Sequence, residues 1–299
     1  MNNNPFRCGF VAVVGRPNVG KSTLINCIMG RKISIVTPKP QTTRHRILAV
    51  DTHPDYQTVY VDTPGLHRKA GKVMNKMMNR TASNALADAD LVLFVIEANR
   101  WTSEDQDVLA RLQNTDAPII AVLNKTDKVH PKEMLLQALA EMSARHAFAE
   151  VMPISAKKNE NVDRLLGIVP GYLPQSDALY PQDMITDRSV TFQAAEIIRE
   201  KLTLALRQEI PYGLTVQVER YEKDANGVAI DAVIWIERDS QKGIVVGKGG
   251  GLLKKVGRAA RLELKAQYGV PVHLEMWVKV KDNWSDSEKE LLRLGYESP

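Results

Sequence analysis

Four short clusters in this chain have residue types and spacing suited to chemistry on a nucleotide. The first is "GRPNVGKS", from Gly15 to Ser22, between an apolar stretch and a helical one. A glycine-rich loop that opens a helix turns its backbone N–H groups inward, where they cradle phosphates. On that geometry Gly15, Arg16, Pro17, Asn18, Val19 and Gly20 form the cradle. Lys21 reaches the β- and γ-phosphates, Ser22 ligates Mg²⁺, and Thr23 stands beside it. The second cluster is "DTPG": Asp62, Thr63, Pro64 and Gly65. Its aspartate can hold Mg²⁺ through water, and its glycine N–H can meet the γ-phosphate. The third is "NKTD": Asn124, Lys125, Thr126 and Asp127. The Asp127 carboxylate can accept from guanine N1–H and from the exocyclic amine, a donor pair that adenine does not offer. Asn124 is expected at N7, and the stem of Lys125 over the ring. The fourth is "SAK", in which backbone N–H groups around Ser155 and Ala156 can meet guanine O6. A polar loop, Pro38–Arg46, lies between the first two clusters, and Thr43, with Thr42 as the other candidate, is the expected second Mg²⁺ ligand. Singly these motifs are weak. In order, each at the carboxyl end of an apolar strand, they point to binding and hydrolysis of GTP.

No side-chain base can be assigned. In many GTPases a glutamine follows Asp-x-x-Gly and orients the attacking water; here that position is Leu66, which cannot hydrogen-bond, and the neighbouring His67 is expected to face solvent. Unassisted hydrolysis should therefore be slow.

The elements that must position these residues follow from periodicity. Apolar strands read Phe10–Val14, Thr58–Val61, Leu91–Ile96, Ile119–Leu123 and Val151–Ile154, with amphipathic helices between them, such as Glu104–Leu112 and Lys132–Arg145. Continuous apolar strands with helical crossovers mean an α/β domain: a mostly parallel sheet with helices on both faces. The proline-rich stretch Pro170–Met184 breaks the rhythm. The expected organisation is a nucleotide-binding domain over 1–175, a linker over 176–189 and a smaller α+β domain over 190–299. In the latter a helix from Val190 to about Glu209 precedes strands Leu214–Glu222 and Val228–Glu237, a glycine turn after apolar, strand-like residues, a helix to about Tyr268, and a strand Val272–Val280. A short helix closes the chain.

That second turn, Gly247-Lys248-Gly249-Gly250, has no Gly-Lys-Ser ending and no Mg²⁺ ligand, so it is a poor triphosphate site. A Gly-x-x-Gly turn in an α-β-β-α-β region suits the backbone of a nucleic acid, as in KH domains. In the helix after it, Leu253, Val256, Ala260 and Leu264 share one face, and Lys254, Arg258, Arg261 and Lys265 share another. From Lys242 to Lys265 there are seven basic residues against one acidic, Glu263. Gly247, Lys248, Gly249, Gly250, Lys254 and Arg258 are the candidate RNA contacts. Trp235 and Trp277 fall on the more polar side of their strands, where they stack bases or stiffen an exposed sheet face.

The segments "GRPNVGKST", "QTTRHR", "VDTPGLH", "NKTD", "PISA", "MITDRS", "AAEIIREKL" and "VHLEMWVKVKDNW" resemble the Era family of bacterial ribosome-assembly GTPases, of the TrmE–Era–EngA type, from Cys8 to Tyr296. A single GTPase domain joined to a C-terminal KH domain separates this family from relatives with two GTPase domains or with roles in transfer-RNA modification. The resemblance implies a type II KH fold, binding to the 3′ end of small-subunit ribosomal RNA, a role in maturation of the 30S subunit, and peripheral association with the inner membrane. In potassium-activated GTPases an asparagine at the loop position of Asn18 ligates K⁺, and stabilisation of the loop turn is the other reading of that residue. Family members often carry bulkier residues where this chain has Gly249 and Gly251, which bears on how Lys248 meets a backbone.

Composition limits the alternatives. The chain has 299 residues, 44% hydrophobic and 25% charged, normal for two globular domains. Its net charge of +5 suits a polyanionic partner. The longest apolar runs are strand-sized, "MNNNPFRCGF" does not read as a secretory signal, and Cys8 and Cys27 lack metal-ligand spacing, so a cytoplasmic protein with reduced thiols is expected. A monomer is expected. The competing readings are a membrane-associated or signalling GTPase whose C-terminal domain binds protein, and an RNA-modifying enzyme. The second would need a catalytic cysteine, zinc cluster or methyl-donor motif outside the first domain, and none is evident.

Overall fold

The computed structural model describes residues 5–65, 72–206 and 210–296. They divide into two compact units, one holding 5–65 and 75–187, the other 72–74 and 188–296.

The first unit contains β1 (Arg7–Val14), α1 (Lys21–Ile28), β2 (Ile47–Thr52), β3 (Tyr56–Asp62), most of α2 (Val73–Ala87), β4 (Leu91–Glu97), α3 (Ser103–Leu112), β5 (Ile119–Asn124), α4 (Met134–Ser143), β6 (Glu150–Pro153) and α5 (Val162–Tyr172). Its six strands run in the order β2-β3-β1-β4-β5-β6, and all pair in parallel except the edge strand β2. Side chains alternate across the sheet, and both faces are covered. Val11, Val13, Leu91 and Leu93 pack with Leu24, Ile25 and Leu165 on one face. Ala12, Val14, Val92 and Phe94 pack with Val108, Leu109 and Leu112 on the other. That double burial explains why the strands read as unbroken apolar runs. It also brings the carboxyl ends of β1, β3, β4, β5 and β6 to one edge, where the loops of the four motifs start.

The sequence reading omits β2, because "ILAVDT" follows a polar loop and could pass for its end. The expected linker, 176–189, also needs correction. Its residues to Asp187 belong to the first unit and lie along the β2–β3 edge. Val50 N donates to Ile185 O at 2.9 Å and Leu48 N to Asp187 Oδ1 at 3.0 Å. The buried Gln57 accepts from Leu179 N and Tyr180 N, both at 2.9 Å. An edge strand has unpaired backbone groups, and this strap satisfies part of them.

The second unit contains α6 (Val190–Ala205), β7 (Leu214–Asp224), β8 (Gly227–Ile236), α7 (Asp239–Val246), α8 (Gly251–Tyr268), β9 (Val272–Val280) and α9 (Glu288–Arg293). Helix α6 starts at Ser189, whose Oγ accepts from Phe192 N at 3.1 Å. The sheet order is β7-β8-β9, with β8 antiparallel to β7 and parallel to β9. Buried Val256, Ala260 and Leu264 of α8 pack with Ala194 and Ile198 of α6 and with Ile230, Ala232 and Ile234 of β8. The order is therefore α-β-β-α-α-β, with one more helix than the sequence pattern predicts. Val245 and Val246, strand-like in sequence, form the last turn of α7. Gly243 and three consecutive β-branched residues argue locally against a helix. Burial of Val245 in the core overrides them. So does the Gln241 side chain, which accepts from Glu237 N and Arg238 N at 3.1 Å each.

Candidate functional site

In the first unit the phosphate loop is held by close backbone approaches that only glycine permits. Gly15 has φ 153°, and a Cβ there would lie 2.3 Å from Val95 O. Gly20 has φ 107°, and a Cβ there would lie 2.3 Å from Asn124 Nδ2. Lys21, the first residue of α1, is buried, and its Nζ donates to Gly15 O at 2.9 Å and Arg16 O at 3.1 Å. Burial pushes its pKa down to about 8, opposed by the Asp62 carboxylate and assisted by Arg16.

Ser22 Oγ donates to Asp62 Oδ2 at 2.9 Å and lies 2.8 Å from Thr43 Oγ1, which is itself 3.5 Å from the same carboxylate oxygen. Burial raises the Asp62 pKa against the pull of Ser34, Lys21, Ser22 and Thr43. One buried carboxylate and two hydroxyls, all oxygen, fit a hard dication such as Mg²⁺. The sequence favours Thr43 over Thr42. Only Thr43 meets this cluster; Thr42 Oγ1 turns to its own loop, 2.6 Å from Thr37 Oγ1 and 2.7 Å from Lys39 O.

A cavity of about 610 Å³ runs from Lys21, Ser22 and Thr23 to Asn124, Lys125, Asp127 and Lys157, beneath the loop residues Ile35–Pro38 and Gln41–Thr43. That volume is in the range of sites for organic ligands. At its far end Ser155 Oγ donates to Asp127 Oδ1 at 2.6 Å, and this bond is the main reason the Asp127 pKa lies below its usual value. The carboxylate is thus fixed and charged.

Asn124 lines the cavity and also holds its walls together. Its Nδ2 donates to Val19 O at 2.9 Å, and its Oδ1 accepts from Lys125 N at 2.8 Å and Ala156 N at 3.0 Å. Asn124 is a tie between three motifs; one of its two amide N–H groups is used on Val19 O, which leaves the other for the N7 contact expected of it. Ala156 N is taken up by Asn124 Oδ1. Arg16 points away from the cavity into a buried network with Glu97 and Asp105, so it adds backbone to the cradle and no phosphate-binding side chain. Val19, Thr63, Pro64 and Thr126 are buried, so any contact they make to a nucleotide is through backbone; Thr63 Oγ1 donates to Val13 O at 2.9 Å, and Thr126 N to Ile154 O at 3.1 Å. Gly65 packs on the loop, since a Cβ there would meet Pro17 Cγ at 3.0 Å. Asn18, with φ 63°, donates from Nδ2 to Pro38 O at 2.9 Å. Leu66 and His67 lie outside the described residues.

Sequence reasoning missed Ile35 and Val36, because apolar residues do not advertise a nucleotide wall, and Thr37, which lies one residue before the polar loop it singled out. It also missed Glu97 and Asp105. Thr102 to Asp105 does carry a legible capping signature: Thr102 N donates to Asp105 Oδ2 at 2.9 Å and Asp105 N to Thr102 Oγ1 at 3.4 Å.

In the second unit, the Gly247–Gly250 turn joins α7 to α8. Gly247 has φ 75°, and a Cβ there would lie 2.7 Å from Leu252 Cβ. Gly249 (φ 58°) and Gly250 (φ 75°) are consecutive left-handed residues with open space around them. Lys248, Lys254, Arg258, Arg261 and Lys265 are all exposed. Trp235 is held on its sheet by Nε1 donating to Gln217 Oε1 at 3.1 Å, with Lys279 and Lys281 over its ring.

Comparison with known proteins agrees with this division. Residues 10–125 match a family model described as 50S ribosome-binding GTPase, and residues 209–285 match the KH domain model. GTPase Era of Vibrio parahaemolyticus is 48% identical over 291 residues, covering 97% of this chain and 91% of that protein. GTPase Era of Pseudomonas putida is 47% identical over 294 residues, 98% of both chains. A crystal structure of Era in complex with MgGDPNP and nucleotides 1506–1542 of 16S ribosomal RNA superposes with a TM-score of 0.93 at 38% identity, covering 98% of this chain and 100% of that one. A variant of Aquifex aeolicus Era bound to GDP.AlF4- also gives 0.93, at 37% identity with the same coverage.

Proposed function

Because the chain belongs to the Era family of GTPases, we propose that it is a GTP-hydrolysing switch that binds the 3′ end of small-subunit ribosomal RNA through its KH domain and assists maturation of the 30S subunit. The observation that carries the GTPase half is one cavity with Lys21 and Ser22 at one end and a charged, Ser155-fixed Asp127 at the other. Residues Gly15 to Thr23 and Asp62 to Gly65 hold the phosphates. Asp127 and the stem of Lys125 read guanine, with Asn124, Thr126, Ser155 and Ala156 shaping that end. Ser22, Thr43 and Asp62 hold Mg²⁺, which when bound neutralises charge on the β- and γ-phosphates. Lys21 brings a second positive charge to the same oxygens. No side-chain base is assigned.

K⁺ is proposed as a second cation at Asn18. A carboxamide binds a cation through its oxygen, so the ligating atom would be Oδ1, with Nδ2 donating to Pro38 O. The division proposed is a GTPase domain whose strap runs to Asp187 and a KH domain over 190–299. On the RNA side, Gly247, Gly249 and Gly250 let a sugar-phosphate backbone approach, with Lys248, Lys254 and Arg258 exposed beside it. The protein is proposed to work as a monomer in the cytoplasm, and any contact with the inner membrane is peripheral; among the described residues no helix is long and apolar enough to cross one.

Sequencing of RNA crosslinked to the protein in its GTP and GDP states tests this reading. The expected result is enrichment of the 3′ end of small-subunit ribosomal RNA, at peptides holding Lys248 or Lys254, with a yield that differs between the nucleotides. Absence of RNA at those peptides, with protein captured there in its place, would overturn the RNA half.

A further inference from the structure

Both nucleotide loops converge on a carboxylate that belongs to none of the four motifs. Glu97, the last residue of β4, places one oxygen, Oε2, 3.2 Å from Arg16 Nη2 and 3.3 Å from Lys125 Nζ. Arg16 belongs to the phosphate loop and Lys125 to the base-reading segment. The Lys125 ammonium also donates to Asn18 O at 2.7 Å, so it sits between Glu97 and the phosphate loop. Arg16 is gripped on its other side by Asp105, with Nε 3.0 Å from Oδ2. Asp105 is fully buried, and Thr102 Oγ1 donates to the same Oδ2 at 2.7 Å at the start of α3. The side chains of Arg16, Glu97 and Lys125 are only 8%, 14% and 23% exposed, so solvent screens these pairs less than it screens surface ion pairs.

We propose that Glu97 is a positioning residue for the nucleotide, a charged clamp that fixes the phosphate loop and the base-reading segment at the separation that GTP and GDP require. The inference rests on the reading of this cavity as the guanine-nucleotide site. A ligand that spans two loops gains because its second contact is intramolecular, and the gain is largest when the loops are already held at the right distance. A ligand that touches one loop gains nothing from the clamp. Neutral ties between the loops exist as well, such as Asn124 Nδ2 to Val19 O. Glu97 adds a charged tie from a third element, and the backbone of β4 is locked inside the sheet by β1 and β5. Its carboxylate touches neither guanine nor phosphate on this reading; it acts through Arg16 and Lys125.

The test is displacement of a fluorescent GDP analogue, with Mg²⁺ present, by GDP, guanosine and pyrophosphate, on the full chain and its E97Q and E97D variants. E97Q should weaken GDP about tenfold while guanosine and pyrophosphate change less than about twofold. E97D keeps the charge on a shorter arm and should show the same pattern with a smaller loss. The clamp is overturned if E97Q binds GDP as tightly as the unmodified protein. It is also overturned if the fragments weaken as much as GDP, which means ordinary loop damage. If circular dichroism shows E97Q unfolded, E97D decides alone: a loss confined to GDP supports the clamp, and no loss or equal losses overturn it. Failure of the unmodified protein to bind GDP would instead remove the nucleotide-site reading, and the clamp with it.

Discussion

The chain carries two glycine-rich turns before helices, and they solve opposite problems. At Gly15–Ser22 the glycines are forced by crowding, because a Cβ at Gly15 or Gly20 would run into Val95 O or the Asn124 amide. The lysine there is buried, its pKa is pushed down to about 8, and the loop walls a cavity. At Gly247–Gly250 only Gly247 is crowded, against Leu252; Gly249 and Gly250 face open space and Lys248 is exposed. The first turn is enclosed, which suits a small ligand whose contacts would each count heavily. The second is open and basic, which suits a long polyanion whose contacts would be individually weak and sensitive to salt. What distinguishes a nucleotide loop from a nucleic-acid loop is therefore the enclosure around the glycines more than their number.

The largest expected effect that separates the two turns is at Lys21. Lys21→Ala removes the buried cation and leaves Gly15 O and Arg16 O unpaired. It should weaken GTP and GDP about a thousandfold by calorimetry and leave the RNA affinity of the nucleotide-free protein as it was. A parallel loss of RNA affinity in the folded variant would break the comparison. Next is Asp127→Asn, which should shift preference from GTP toward xanthosine triphosphate by about a hundredfold in competition binding, because an amide donates where the carboxylate accepts.

A smaller effect follows from the Lys21 pKa of about 8. Bound phosphates favour the protonated lysine and hold its pKa above that of the free protein. Below pH 8 both states are charged, and affinity is flat. Above it the free protein loses the proton first, so affinity should fall by up to about tenfold per pH unit. Calorimetry at pH 8 in buffers of different ionisation enthalpy should find uptake of about half a proton. A pH-independent affinity between 7 and about 9 would show that the enclosure does not reach Lys21. The smallest effect is at the second turn: Lys254→Ala should reduce the salt slope of single-stranded RNA binding by about 0.7.

Much of this was legible in the sequence because it rests on local grammar. The five parallel strands announce themselves as apolar runs since both faces are covered. The strand Val272–Val280 and the apolar face of α8 follow from simple periodicity. What failed was whatever depends on tertiary context. Strand β2 needs the strap 176–187 and β3 to be recognised as an edge. Helix α7 contradicts its own residue preferences and exists because Val245 is buried. Asn124 looks like a base contact by motif, and only the folded chain shows that it also ties Val19, Lys125 and Ala156 together. Glu97 carries no motif and Asp105 only a helix-capping signature, and only the folded chain shows that they meet Arg16.

The division of labour between the turns is tested most directly at Gly249. Gly247→Asp would be a poor probe, because any side chain there strikes Leu252. Gly249 has open space and a left-handed backbone that aspartate tolerates, so Gly249→Asp adds a negative charge with little distortion. The measurement is the affinity of one preparation of this variant for a single-stranded RNA carrying the 3′ end of small-subunit ribosomal RNA and, in parallel, for GDP. The account predicts RNA binding weakened by about tenfold or more, with GDP binding unchanged. RNA binding equal to that of the unmodified protein, or a loss of GDP binding alongside it, would contradict it.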